Sequence, residues 1–167
     1  MTILLLILDW TGRVTALLFL LALIGGLYAW IKGILPVLVR LGNGLAKKKI
    51  AIFAKGDHLG SLESLLLDSK LFSKKNITGI ASESDFGRAE RATLFLVYWH
   101  DWPDQITQIL NAKKNGTALV VYAPHELGQI PRDKMDELNG KLNVMVANFR
   151  GRLLNDMLIS LMTTSYQ

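Results

Sequence analysis

Residues 94–98 read LFLVY and residues 118–122 read ALVVY, and these two runs decide the fold. Both are rich in β-branched and aromatic side chains and apolar at almost every position, where a strand with one wet face would alternate. Strands of this kind are buried on both sides, and helices laid on both faces of a sheet supply that burial. Working outward, the pattern returns at Ile50–Ala54 (IAIFA), Ile77–Ala81 (ITGIA) and Val144–Ala147 (VMVA). Between these runs the apolar period lengthens, which predicts helices at Leu59–Phe72, Phe86–Ala92 (a short one), Pro103–Lys114, Arg132–Leu138 and Gly151–Thr163. Leu62, Leu65, Leu66 and Ser69 fall on one face of the first helix; Leu153, Leu154, Met157, Leu158 and Leu161 fall on one face of the last. Asp104 and Gln105, directly after Pro103, read as the opening of the third.

Strand and helix alternate five times, so the connections are right-handed crossovers and the sheet is parallel. The expected class is α/β, with the common five-strand order 2-1-3-4-5 and helices on both faces. In this alternation, Lys49–Thr163 resembles receiver, flavodoxin and TIR-like domains. The receiver pattern of paired acids, a phosphorylatable Asp and a Lys is not matched. Asp57 is single, Asp101 lies three residues beyond Tyr98, and the fifth strand leads into Asn148-Phe149-Arg150. The TIR resemblance implies a glutamate on the second-strand side of the cleft, where Glu83 stands.

In such sheets ligands bind beyond the carboxyl ends of the strands. All three histidines fall there, each beside an acid: Asp57-His58 after the first strand, His100-Asp101 after the third, His125-Glu126 after the fourth. Ser82, Glu83, Ser84 and Asp85 follow the second strand, Asn148 and Arg150 the fifth, and Trp99 and Trp102 flank the third. A nucleotide-like ligand would set its anion on the helix start near Gly56 and Gly60, pair with Arg150, and stack a base on Trp99 or Trp102. Gly56, Asp57, His58, Ser82, Trp99, His100, His125, Asn148 and Arg150 are thus the candidate ligand contacts. Glu83, His100 and Asp101 are the candidate catalytic groups. No histidine pair has HxxxH or HxH spacing, and GxxxxGK[ST] and GxSxG are absent, so neither a metal site nor a cofactor is assigned. Arg150 and Arg152 sit at the dipole-unfavourable end of the last helix, which calls for an anionic partner, whether a ligand or Glu83, Asp85 or Asp101.

The other decisive stretch is Val14–Ile31, VTALLFLLALIGGLYAWI, eighteen residues without a charge. At about 1.5 Å per residue it rises roughly 27 Å, close to the bilayer's hydrocarbon thickness of about 30 Å. The expected anchor runs from about residue 14 to 39, with 1–46 as anchor and linker and 47–167 as the α/β domain. No positive residue precedes Arg13 and no small-x-small site follows, so an uncleaved anchor is favoured over a signal peptide. Lys32, Arg40 and Lys47–Lys49 outweigh Arg13, which puts the domain at the cytoplasmic side of a bacterial inner membrane. Asp9 and Arg13 are spaced to pair, Pro36 should kink or end the helix, and Leu41-Gly42-Asn43-Gly44 should be a linker. Gly25, Ala29 and Gly33 recur every four residues, a face on which a second copy could pack.

Composition sets bounds on function. There are no cysteines, which excludes disulfides and thiolate metal sites. From Lys47 on, 16 Lys and Arg face 13 Asp and Glu, too mild an excess to require nucleic acid. Lys47–Lys49 reads instead as a clamp on anionic headgroups. The sequence predicts a membrane-anchored sensor or effector that binds a nucleotide-like ligand or a cytosolic protein, a plan similar to that of small bacterial antiviral effectors. An anchored hydrolase or NAD-cleaving enzyme and a non-enzymatic scaffold are the alternatives.

Overall fold

The computed structural model describes residues 2–127 and 129–164. Two compact units emerge, Met1–Asn43 and Gly44–Gln167. In the first lies α1 (Thr2–Ala46), which ends just inside the second. Within it, Ile7–Pro36 is long and apolar enough to cross a membrane, and no part of that window is buried by protein. Thirty residues of helix rise about 45 Å, which spans the hydrocarbon core with tilt to spare. Pro36 does not end α1, and residues 41–44 are helical, where the sequence suggested a kink or stop and a linker. One proline removes one backbone bond, and the apolar turns on either side carry the helix past it. Arg13 and Asp9 pair as their spacing predicts, at 3.0 Å.

The second unit is a five-stranded, all-parallel sheet of order β2-β1-β3-β4-β5. Its strands are β1 (Ile50–Phe53), β2 (Ile77–Ile80), β3 (Leu94–Tyr98), β4 (Ala118–Tyr122) and β5 (Val144–Ala147). β1, β3 and β4 are buried at every position, as their unbroken apolar runs require, while the edge strands are half-covered. Side chains alternate strictly between two cores. Ala51, Phe53, Phe95, Val97, Leu119 and Val121 point to one face; Ile50, Ile52, Leu94, Leu96, Ala118 and Val120 point to the other.

The second core is closed by α2 (Gly56–Asp68) through Leu62 and Leu66, and by α5 (Arg150–Thr163) through Leu153, Met157 and Leu161. α3 (Ile106–Ala112) and α4 (Arg132–Asn139) close the first core through Ile106, Ile109, Leu110 and Leu138. The short helix expected at Phe86–Ala92 is a 3-10 helix, Glu83–Ala89, held to this core by Ala89 and Phe86. Seven residues with a central glycine offer too few bonds for a stable α-helix. α3 begins three residues after Pro103, because 103–105 form a turn. Gly79 in β2 lets α2 come close: a Cβ there would stand 3.0 Å from a Leu59 methyl, which would have to shift by a few tenths of an ångström.

Leu66→Ala should cost about 2–5 kcal/mol, the usual penalty for a cavity under a helix, whereas Leu71→Ala, at an exposed position, should change stability by less than about 0.5 kcal/mol. A urea titration of the full chain in lipid nanodiscs, followed by tryptophan emission, measures both. Similar midpoints for the two variants would refute the assignment of Leu66 to the core.

Candidate functional site in the crevice between β1 and β3

A 2-1-3-4-5 sheet reverses direction between β1 and β3, because the chain leaves one to opposite sides of the other. Connections that leave two neighbouring strands in opposite directions mark the place at the carboxyl edge where a crevice is expected. What spans it is an acid–imidazole pair. Asp101, from the turn after β3, reaches the start of α2 and accepts the Lys55 backbone N–H at 2.7 Å. The same carboxylate lies 3.1 and 3.2 Å from Nδ1 of His58. A carboxylate only accepts, so the proton of this bond sits on Nδ1 and Nε2 is left as the outward acceptor. His58 is half exposed, while the Asp101 side chain keeps only 12% of its surface.

The ring is held from beneath as well. Tyr98, the last residue of β3, stacks on His58 with centroids 4.1 Å apart and planes 24° from parallel. Tyr122 of β4 packs against Tyr98 at 5.8 Å, and His100 approaches it at 6.0 Å. Burial pushes the Tyr98 hydroxyl above the usual tyrosine range, with smaller contributions from the Asp101 charge and from Tyr122.

Gly56 opens α2 with φ +50°, a conformation in which a side chain is strained. That turn aims Asp57 and His58 outward and leaves the Lys55 N–H for Asp101. Asp101 thus holds the backbone N–H of the N-cap residue Lys55 from another loop and fixes where α2 begins, while α2 has no side-chain cap of its own. Arg150 comes to the same flank: its guanidinium donates to the Ser61 carbonyl at 3.0 Å. Ser61 is one turn beyond His58, so the guanidinium meets α2 within a turn of the imidazole. Lys55 folds over the opposite wall, its Nζ 4.5 Å from the Trp102 ring centre.

The remaining sequence candidates are placed differently. Trp99 and Trp102 are 4% and 1% exposed and belong to the α3/α4-side core, so neither offers a face for a base to stack on. Phe53 and Phe86 pack against Trp102. Glu83 accepts a hydrogen bond from Gln105 at 3.1 Å, away from the acid–imidazole pair. Ser82 bonds Asp85, and that bond, with Arg88 beside it, holds the Asp85 carboxyl below the usual range. Arg150 makes no ion pair with Glu83, Asp85 or Asp101 among the described residues. His125 and Asn148 are exposed in their loops, and His125 makes no contact with the other two imidazoles. The three histidines thus share an edge but do not converge; only His58 and His100 meet, through Tyr98. No cluster of three or more metal-ligating side chains occurs among the described residues.

Comparison with protein-family models, curated proteins and solved structures finds no match. What the chain does is therefore read from its own residues. The crevice holds an oriented imidazole with a free nitrogen, a guanidinium that meets the same helix within a turn of it, and an internal carboxylate beside the helix start that an external anion would otherwise take.

Asp101→Ala should destabilise the domain by about 1–3 kcal/mol, since it removes the acceptor of the Lys55 N–H and the partner of His58; Asp101→Asn, which still accepts from Lys55, should cost less. Equal losses in a urea titration would show that the Lys55 bond is unimportant. Tyr98 adds a pH signature. Below about pH 10 folded and unfolded chains both keep the phenol proton; above it the unfolded chain releases the proton first. Stability should therefore fall as pH rises through that window, and Tyr98→Phe should flatten the slope. An unchanged slope in the variant would contradict the burial of that hydroxyl.

Proposed function

We propose that this chain is a membrane-anchored recognition module whose cytosolic α/β domain takes a nucleotide-like ligand, phosphate end first, in the crevice between β1 and β3. The observation that carries this reading is the His58–Asp101 bridge across the switch point, with Arg150 bonded to α2 within a turn of His58. Because the Asp101 carboxylate lies beside the start of α2 and repels a second anion there, a phosphate is recognised by side chains: the fork of Arg150, Nε2 of His58 when protonated, and Lys55. α1 crosses the bilayer once, and the charges of Lys32, Arg40 and Lys47–Lys49 keep the domain at the cytoplasmic face. Arg13 gives little opposing pull, being paired with Asp9. Gly25, Gly26 and Gly33 leave open space at their Cβ positions, which suits helix–helix approach between copies.

A second reading rests on the same pair. An imidazole oriented by a carboxylate is the arrangement of a general base; on this second reading water attacks the phosphorus of the bound ester, the P–O bond to the leaving oxygen breaks, and the proton taken from water passes to that oxygen. In that case His58 abstracts the water proton at Nε2 while Asp101 fixes the ring and stabilises its charged form.

Thermal unfolding of the full chain in nanodiscs, against a panel of linear and cyclic nucleotides, separates the two readings. A ligand at a hundred times its dissociation constant adds about 2.7 kcal/mol of stability and raises the midpoint by several degrees. That shift should vanish in Arg150→Ala and weaken in His58→Ala. Recognition alone leaves the nucleotide intact, whereas hydrolysis releases product at a rate that His58→Ala lowers by about 10²–10⁴-fold. A wild-type midpoint unmoved by every nucleotide would remove the recognition reading.

A further inference from the structure

A parallel sheet has two unlike edges, and the one opposite the crevice carries most of the domain's positive charge. Five connections lead into the strands at that edge: 47–49, 69–76, 90–93, 113–117 and 140–143. Together they hold ten of the domain's sixteen Lys and Arg and a single acid, Glu90. Lys47, Lys70, Lys74, Lys75, Lys114 and Lys141 are exposed, and none of them makes an ion pair among the described residues. The backbone beneath them is tied across strands. Asn76, itself buried, donates to the Lys48 carbonyl at 2.8 Å, and Thr93 bonds both backbone groups of Lys49. Lys113 donates to the Thr117 and Leu142 carbonyls, and Asn143 donates to the Asn115 carbonyl. The charges stand on a fixed platform.

We infer that this basic edge docks on the anionic lipid surface into which α1 is inserted, an inference that rests on the membrane reading above. Charge complementarity and chain length support it together. Only Lys47–Lys49 separate the end of α1 from β1, a reach of about 10 Å. Residues 37–46 of α1 add about 15 Å beyond the apolar span, part of which lies within the headgroup layer. A tether that short lets the edge come within a screening length of the surface, about 8 Å at physiological salt. Docking there sets the strands upright and holds the crevice about one strand length, some 15 Å, further into the cytosol, open to soluble ligands.

The chain has no cysteine, so single labels report the arrangement directly. A fluorophore on Asn115→Cys marks the basic edge and one on Glu126→Cys marks the opposite rim, both in full-length chain in nanodiscs with a headgroup-bound quencher. In discs of phosphatidylcholine mixed with phosphatidylglycerol, the Asn115→Cys label should be quenched and the Glu126→Cys label should not. In phosphatidylcholine alone, or at high salt, quenching should fall away. Replacing Lys74, Lys75, Lys114 and Lys141 by Gln should abolish it, at about fivefold in docked population per lysine. An Asn115→Cys label that ignores phosphatidylglycerol, or is protected by added RNA and not by lipid, overturns the inference while leaving the anchor intact. Failure of the chain to enter discs at all would instead sink the anchor, and the docking with it.

Discussion

Everything in the domain follows from the burial of β1, β3 and β4 on both faces. A strand with two dry faces needs a helix on each side, and a helix between consecutive strands forces a crossover, so the strands run parallel. Parallel strands put every carboxyl end on one edge and every amino end on the other. The alternation of Phe95 and Val97 with Leu94 and Leu96 then assigns each residue to one of two cores, and the ends of those rows decide what the edges carry. The crevice and the basic platform are both products of that polarity.

The same parity rule explains what was hidden in the sequence. The strand runs were legible because their apolar character is continuous, and three of the five match in the structure to the residue. The tryptophans flanking β3 read as a polar rim with stacking faces. Yet Trp99 shares its parity with Phe95 and Val97 and continues their row into the core, and Trp102 is drawn in by Phe53 and Phe86. Counting in twos from Leu94 also places Tyr98 on the α2 side, directly under His58, and that signal was available. The weak points were backbone events without a strong side-chain signature: Pro36 carried within α1, and a 3-10 helix in place of a short α-helix at Glu83–Ala89.

What the sequence could not carry is the bridge itself. His58 and Asp101 are forty-three residues apart and meet only because β1 and β3 are neighbours across the reversal of strand order. Each looked like half of a local pair, Asp57-His58 or His100-Asp101, whereas in the structure His58 takes its acid from the other pair. Arg150 is similar: its helix start called for an anion, and it found the carbonyl of Ser61 in a helix eighty-nine residues away. Adjacency in space, fixed by sheet order, supplies the site.

The placement of Asp101 constrains any ligand more tightly than the presence of histidines does. In an open crevice of this kind the helix start after the first strand would be the natural seat for phosphate, with free N–H groups and a favourable dipole. Here a carboxylate with little exposed surface lies beside that helix start, bonded to the Lys55 N–H at 2.7 Å, and a second anion placed next to it would meet repulsion at short range. On the proposed reading recognition moves outward, onto His58, Lys55 and Arg150. Because Arg150 begins α5, the junction of β5 and α5 would then join the site, and its position relative to α2 would set the spacing between the guanidinium and the imidazole. A ligand that pairs with both ties α2 to α5 across the face they jointly cover.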